Sequence, residues 1–279
     1  METGERQSAL RLNTDIVSDL LIRFLHDETT NAGFQKVVIG ISGGVDSAVS
    51  AYLSASALRK KNVLGVIMPY RTSSAKSAEH AQLVMRELGI DSETVDISEM
   101  VDAYCTKKKI SDNVRRGNVM ARMRMIVLYD ISARERALVV GTSNKTELLL
   151  GYGTLHGDVA CAINPLGDLY KTQVWQLAEA LNVPRPIIEK KPTADLWDGQ
   201  TDEAELGFSY AKVDALLYEM IDERRTDADL ASHGFDRAFV KKVRDLVRKN
   251  QFKRRPPLIA KVSYRTLNVD FRYVRDWGM

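Results

Sequence analysis

Residues 42–47 read Ser-Gly-Gly-Val-Asp-Ser and follow a β-branched run, Lys36–Ile41, that is typical of a buried strand. The next helix is predicted to begin at Asp46. Glycines let a backbone approach a ligand closely, and the N-terminus of a helix offers free N–H groups and a positive dipole end to an anion. Ser42 and Ser47 add hydroxyl donors. The sequence therefore predicts an anion-binding loop at residues 42–47.

This loop differs from the usual nucleotide P-loop, in which a lysine after the glycines contacts the β- and γ-phosphates. No lysine follows Gly43 and Gly44 here, and Asp46 stands nearby instead. A carboxylate repels a triphosphate unless a divalent cation lies between them, so Asp46 is interpreted as a Mg²⁺ ligand. The alternative is a plain Gly-Gly turn with Asp46 as a helix cap. The buried strand before the loop favours the phosphate-binding interpretation.

Alternating strands and helices position this loop. Strands are predicted at 36–41, 63–68, 90–97 and 137–141, and helices at 7–30, 46–59, 74–88, 113–135, 146–150, 172–181, 209–223 and 236–249. This alternation indicates an α/β fold with a doubly wound, Rossmann-like parallel sheet and helices on both faces. Ligands bind at the carboxyl ends of the strands in such sheets.

A second polar loop, residues 142–147, follows the predicted strand at 137–141 and therefore lies at the same edge of the sheet. Both polar loops, residues 42–47 and 142–147, thus lie where such sheets bind ligands. Residues 183–207 contain three prolines and several acids, and a loop of this length in a compact domain is usually a functional lid.

Composition narrows the class of protein. The chain has 279 residues and two cysteines, Cys105 and Cys161, which stand far apart and exclude a disulfide scaffold. No apolar run approaches the ~18 residues of a transmembrane helix, and no signal peptide is visible, so a cytoplasmic protein is expected. The four histidines form no metal-binding spacing.

Positive charge is concentrated at the C-terminal end. Residues 237–279 hold 13 Lys/Arg and 3 Asp/Glu, whereas the net charge of the whole chain is only +3. A basic end of this kind can bind nucleic acid, a phosphorylated small molecule or an acidic protein surface.

The sequence SGGVDS resembles the SGGxDS signature of the ATP pyrophosphatase superfamily, whose members cleave ATP between the α- and β-phosphates and adenylate a substrate oxygen. Other segments resemble motifs of the NAD synthetases within that superfamily. These segments are Asn118–Met125 (NVMARMRM), Gly141–Glu147 (GTSNKTE), Gly157-Asp158, Lys171-Thr172 and Lys191–Leu196 (KPTADL). The resemblance extends from about residue 10 to 257, and it implies an adenine nucleotide alpha hydrolase-like fold in one domain, residues 1–279.

This resemblance implies roles for individual residues. Two Mg²⁺ ions would be held by Asp46 and Glu147, and catalysis would depend on Asp46, Lys171 and Asp158. ATP would be bound by Gly40, Ile41, Ser42, Gly43, Gly44, Val45, Asp46, Ser47, Thr142, Lys171 and Thr193. Deamido-NAD would be bound by Asn118, Arg122, Asp158 and Lys253.

The implied reaction is an ATP-dependent amidation of deamido-NAD with ammonia, through an NAD-adenylate, by a homodimer. The chain is too short for a fused glutaminase domain, so free ammonia is the expected nitrogen donor, with a separate glutaminase subunit as the alternative. The stretch Gly153–Asp158 is similar to that of the glutamine-dependent enzymes, and Leu155 and Phe252 stand where ammonia-dependent enzymes often have a lysine and a histidine.

Two other classes remain open from the residues alone. One is a different adenylating enzyme of the superfamily, such as a tRNA-modifying enzyme that uses the basic end to bind RNA. The other is a non-catalytic nucleotide-binding protein of the same fold, against which Asp46 argues. Membrane association is not expected.

Overall fold

The computed structural model describes residues 9–197, 199–267 and 270. Four parallel strands form the central sheet, in the order β3-β2-β1-β4. They are β1 (Lys36–Gly40), β2 (Val63–Ile67), β3 (Asp91–Thr94) and β4 (Ala137–Val140). A parallel bridge between Val140 and Ile163 continues the sheet beyond β4.

Helices connect and cover the strands. They are α1 (Thr14–Asn31), α2 (Val45–Leu58), α3 (Ala75–Leu88), α4 (Ser98–Lys107), α5 (Asn113–Glu135), α6 (Lys145–Leu150), α7 (Lys171–Ala180), α8 (Arg185–Ile188), α9 (Asp202–Leu206), α10 (Tyr210–Leu217), α11 (Asp227–Ser232) and α12 (Arg237–Lys249). A π-helical turn, Tyr218–Asp222, follows α10, and a 3-10 turn, Gln251–Arg254, follows α12. Among the described residues, no helix is both long and apolar enough to span a membrane.

Side chains of the central strand alternate between two hydrophobic cores. Val37 and Ile39 belong to one cluster with Leu53 of α2, and Val38 belongs to another with Leu128 of α5. All of these side chains are almost completely buried. Because a strand places successive side chains on opposite faces, helices on both sides of the sheet are required. The predicted doubly wound α/β fold is confirmed.

A third hydrophobic cluster joins the C-terminal helices to α6. It includes Leu150 of α6, Tyr210 and Leu217 of α10, and Phe239 and Val243 of α12. These helices therefore brace the short helix that carries Glu147. The assignment of residues 1–279 to a single domain stays a prediction.

Several predicted boundaries were wrong. Helix α1 begins at Thr14, where the side chain of Asn13 caps it by accepting a hydrogen bond from the Ile16 amide. The predicted helix 7–30 is therefore interrupted at residues 10–13, and its first two residues lie outside the described part of the chain. Strand β3 is half its predicted length, since Asp96 accepts a hydrogen bond from the Ser98 amide where the unpredicted α4 begins. Helix α11 was not predicted either, and residues 183–207 include α8 and α9 in addition to irregular chain.

Candidate active site

The loop between β1 and α2 has the geometry of an anion cradle. Ser47 donates through its hydroxyl to the Gly44 carbonyl at 3.0 Å and accepts from the Ser42 amide at 3.2 Å. Gly44 is the N-cap of α2 and provides no side chain to cover the first N–H groups of the helix. These free donors point out of a loop whose turn is held by its own serines.

Gly43 cannot be replaced without a rearrangement of this loop. Its φ is +74°, and a Cβ atom at this position would lie 2.1 Å from the carbonyl oxygen of Ser77 in α3. The backbone of the loop is therefore packed directly against the backbone of α3, which explains the glycine in physical terms.

Two carboxylates and one ammonium group meet beside this loop. Lys171, whose side chain is 3% exposed, forms an ion pair with Asp46, and its Nζ lies 3.6 Å from Oε1 of Glu147. Asn144 donates to Oδ1 of Asp46 at 2.9 Å. The predicted catalytic residues Asp46 and Lys171 and the predicted metal ligand Glu147 thus come together from the first turns of three separate helices.

The start of α6 and the start of α7 are held together by Asp214, a completely buried carboxylate of α10. Asp214 accepts from the Thr146 hydroxyl at 2.6 Å and from the Thr172 amide at 2.8 Å, and Thr146 accepts from the amide of Lys171 at 3.0 Å. Asp214 therefore fixes the distance between Glu147 and Lys171, although it does not reach the cavity itself.

The negative charge of the cluster exceeds its positive charge. Asp202, which is buried and accepts from the hydroxyls of Tyr152 and Tyr210 at 3.0 Å each, adds a third carboxylate to the field around Lys171. Burial, reinforced by the charge of Asp46, raises the pKa of Glu147 to about 8. Hard carboxylate oxygens with too little positive charge around them suit a divalent cation such as Mg²⁺.

A cavity of about 720 Å³ opens over this cluster and is large enough for a nucleotide. Most of the predicted ATP-binding residues line it, namely Gly40, Ile41, Ser42, Gly44, Val45, Asp46, Ser47, Thr142, Lys171 and Thr193. Gly43 belongs to the same loop but does not line the cavity.

Three of the four residues predicted to bind the dinucleotide line the same cavity, and one does not. Asn118 accepts from the Thr154 hydroxyl at 2.7 Å, and Lys253 donates to the carbonyls of Gly151 and Gly153 at 2.7 and 2.8 Å. Arg122 is exposed on the outer side of α5 and donates to the Leu155 carbonyl at 3.2 Å. Within one copy of the chain, Arg122 therefore lies outside the cavity.

Asp158 faces the cavity and is surrounded by protein on its other sides. Its Oδ1 accepts from the Thr154 amide at 2.8 Å. Partial loss of hydration raises the pKa of Asp158, while this hydrogen bond and the charges of Arg124 and Lys253 oppose the rise. A carboxyl group with a raised pKa is a better proton acceptor than an ordinary aspartate.

Sequence analysis did not identify four charged residues of the site: Arg124, Lys190, Asp202 and Asp214. Arg124 lies in the NVMARMRM segment, two positions after Arg122, and it lines the cavity where Arg122 does not. Lys190 directly precedes the KPTADL segment, so its position was a usable signal. Asp202 lies in the predicted lid, residues 183–207, six positions after the KPTADL segment, whereas Asp214 is far from any motif; the packing of α9 and α10 brings both to the cluster.

Comparisons with known proteins agree with this geometry. The family model described as NAD synthase matches residues 17–257. A Trichlorobacter lovleyi protein named NH(3)-dependent NAD(+) synthetase is 56% identical over 271 residues, which cover 97% of this chain and 99% of the relative. A Fusobacterium nucleatum protein of the same name is 49% identical and covers 91% of this chain and 98% of the relative.

Two solved structures are also similar. The structure of an NH3-dependent NAD synthetase from Campylobacter jejuni, in complex with the nitrate ion, has a TM-score of 0.77 and 34% identity, and the match covers 90% of this chain and 100% of that one. The structure of an NMN synthetase from Francisella tularensis has a TM-score of 0.79 and 30% identity, with 90% and 99% covered.

Proposed function

This chain belongs to the NAD synthase family, and we propose that it is a ligase that amidates deamido-NAD with ammonia and ATP, giving NAD, AMP and pyrophosphate. The observation that carries this proposal is the convergence of Asp46, Glu147 and Lys171 beside an anion cradle that has no P-loop lysine. An adenylating enzyme needs a site for pyrophosphate as a leaving group, and the cradle provides one. A tRNA-modifying function is not favoured.

The first step is adenylation. An oxygen of the nicotinate carboxylate attacks the α-phosphorus of ATP, and the bond from that phosphorus to the bridging oxygen breaks, so pyrophosphate leaves with the electron pair. The free N–H groups at the start of α2 and the hydroxyl of Ser42 stabilise the negative charge that accumulates on the pyrophosphate. Asp46 and Glu147 would hold Mg²⁺, which when bound supplies positive charge to the phosphates.

The second step is amidation. Ammonia attacks the acyl carbon of the adenylate, the bond from that carbon to the phosphate oxygen breaks, and AMP leaves. The nitrogen must lose a proton, and Asp158 is proposed as the base because it faces the cavity and has a raised pKa. Residues 190–197 line the cavity and would exclude water from the adenylate.

Product analysis tests the function. The pure chain, given ATP, deamido-NAD and ammonium, is expected to form NAD, AMP and pyrophosphate in equal amounts. ADP in place of AMP would refute adenylation. Nicotinate mononucleotide in place of deamido-NAD tests whether the chain accepts a mononucleotide, as the name of the Francisella relative suggests for that protein. Glutamine in place of ammonium is expected to give no product.

Replacement of Asp158 by asparagine is expected to block amidation and, at saturating deamido-NAD, to spare adenylation. ATP–pyrophosphate exchange that depends on deamido-NAD should persist, whereas NAD formation should fall about 10²-fold or more. In the unchanged protein, the amidation rate per free ammonia should decline toward acid pH with a pKa above the ordinary range of aspartate, because protonation removes the base. Equal loss of both steps in the variant would contradict this role.

We also propose that the chain forms a homodimer through the exposed face of α5. Ile126 and Tyr129 are 59% and 43% exposed there, and Arg122 lies one turn before Ile126. A second copy on this face would cover the apolar side chains and bring Arg122 of one copy next to a substrate of the other. A monomeric mass in light scattering would refute this arrangement.

A further inference from the structure

Lys190 places an ammonium group directly on the anion cradle. Its Nζ donates to the hydroxyl of Ser77 at 2.8 Å and to the carbonyl of Gly43 at 3.4 Å. Gly43 is the central residue of the loop between β1 and α2, and Lys190 lines the large cavity. A cation held at this point lies at the end of the site where the loop binds phosphate oxygens.

The two lysines of the site differ in the charges that surround them. Lys171 is paired with Asp46 and lies 3.6 Å from Glu147, so its charge is balanced within the protein. Among the described residues, no carboxylate lies within ion-pairing distance of Lys190, and both of its hydrogen-bond acceptors are neutral. Burial lowers the pKa of Lys190, and Asp195 opposes this effect from a longer distance. An anionic ligand would supply the counter-charge that this half-buried ammonium group lacks.

Lys190 also belongs to the segment that covers the cavity, residues 190–197, all of which line it. Asp195 in this segment accepts from the amide of Ser74 at 3.1 Å, just before α3, and Leu196 packs on Gly117 of α5 so closely that a Cβ there would lie 2.8 Å from Leu196 Cδ1. The segment is therefore docked on both sides of the site, and its position determines where the Lys190 ammonium lies.

We propose that Lys190 is a further catalytic residue, which binds the pyrophosphate as it leaves the α-phosphorus and so supplies from the covering segment the ammonium that the loop lacks. This proposal rests on the proposed adenylation function. Pyrophosphate held by Lys190 bridges the cradle and the covering segment, so release of pyrophosphate requires that segment to move. Adenylation and closure of the site are then coupled through one side chain.

Substitution of Lys190 by methionine tests the proposal in two independent measurements. In calorimetric titrations with pyrophosphate, with and without Mg²⁺, the affinity of K190M should fall about 10–100-fold, as expected for the loss of one charge-assisted hydrogen bond. The rate of AMP formation should fall about 10²-fold. K190R keeps the charge and should recover part of both losses.

Two further variants separate this role from simpler ones. Lys107→Met removes an exposed positive charge at the end of α4 that does not line the cavity, and it should leave pyrophosphate affinity unchanged. Ser77→Ala removes the hydroxyl that holds Lys190 but leaves the ammonium, so its losses should be much smaller than those of K190M. Equal losses in S77A and K190M would show that Lys190 only anchors the segment, and unchanged pyrophosphate affinity in K190M would overturn the proposal. Because pyrophosphate binding is measured without turnover, either result is distinguishable from a failure of the proposed reaction.

Discussion

Asp46→Asn should reduce AMP formation from ATP and deamido-NAD about 10²–10³-fold, even at saturating Mg²⁺. Asparagine has nearly the same shape as aspartate, so the start of α2 is retained. It lacks the negative charge that pairs with Lys171 and that would hold the cation between protein and triphosphate. The measurement is AMP release at increasing Mg²⁺ concentration, together with thermal unfolding to verify that the variant is folded.

A matched control is Asp168→Asn. The side chain of Asp168 is 96% exposed, and it loses only a surface ion pair with Lys145. Its activity and Mg²⁺ dependence should equal those of the unchanged protein. If D46N kept both the rate and the Mg²⁺ dependence, the carboxylate of Asp46 would not be a metal ligand, and the interpretation of the loop as an adenylation site would lose its main support.

The parts of the fold that sequence patterns predicted well are those with strong local signals. Strand β1 is a β-branched run that is buried on both faces, and α5 was predicted with its exact bounds, Asn113–Glu135. Asp112 caps that helix by accepting from the Arg115 amide. Helix α4 has no side-chain hydrogen bond at its N-cap, so it depends on tertiary packing. Helix α11 begins with a capping box at Thr226 and Asp229, a local signal that the periodicity of only six residues does not reinforce.

The candidate site shows the same division. Sequence patterns placed Asp46 and Glu147 on loops at one edge of the sheet, and the family resemblance added Lys171 to the ATP-binding and catalytic residues. Their mutual charge balance could not be predicted, because residues 125 positions apart in sequence form the ion pair. The resemblance assigned Lys171 to ATP binding and catalysis. The structure pairs its ammonium group with carboxylates, whereas among the described residues no carboxylate lies within ion-pairing distance of Lys190.

Gly43→Ala should disrupt both the cradle and the stability of the protein. Alanine at a φ of +74° is strained, and its Cβ would lie 2.1 Å from the carbonyl oxygen of Ser77, so the loop and α3 must separate. We expect pyrophosphate and ATP affinity to fall at least about tenfold, because the N–H groups at the start of α2 move relative to each other. Calorimetric titration with each ligand measures this loss.

Gly33→Ala is a control that separates backbone strain from the steric clash with α3. Gly33 has a similar φ of +80°, but a Cβ there would meet nothing within 4 Å. This control should lose about 1 kcal/mol of unfolding free energy from backbone strain alone and should bind ATP normally. The additional loss in G43A, expected to be about 1–3 kcal/mol in urea unfolding, then measures the clash with α3. If the G43A and G33A variants had equal free energies of unfolding and the G43A variant bound ATP normally, the loop would be able to shift freely away from α3. In that case Lys190, which bonds to both Gly43 and Ser77, could not hold pyrophosphate at a fixed point, so the rigidity of this contact is a condition for the proposed mechanism.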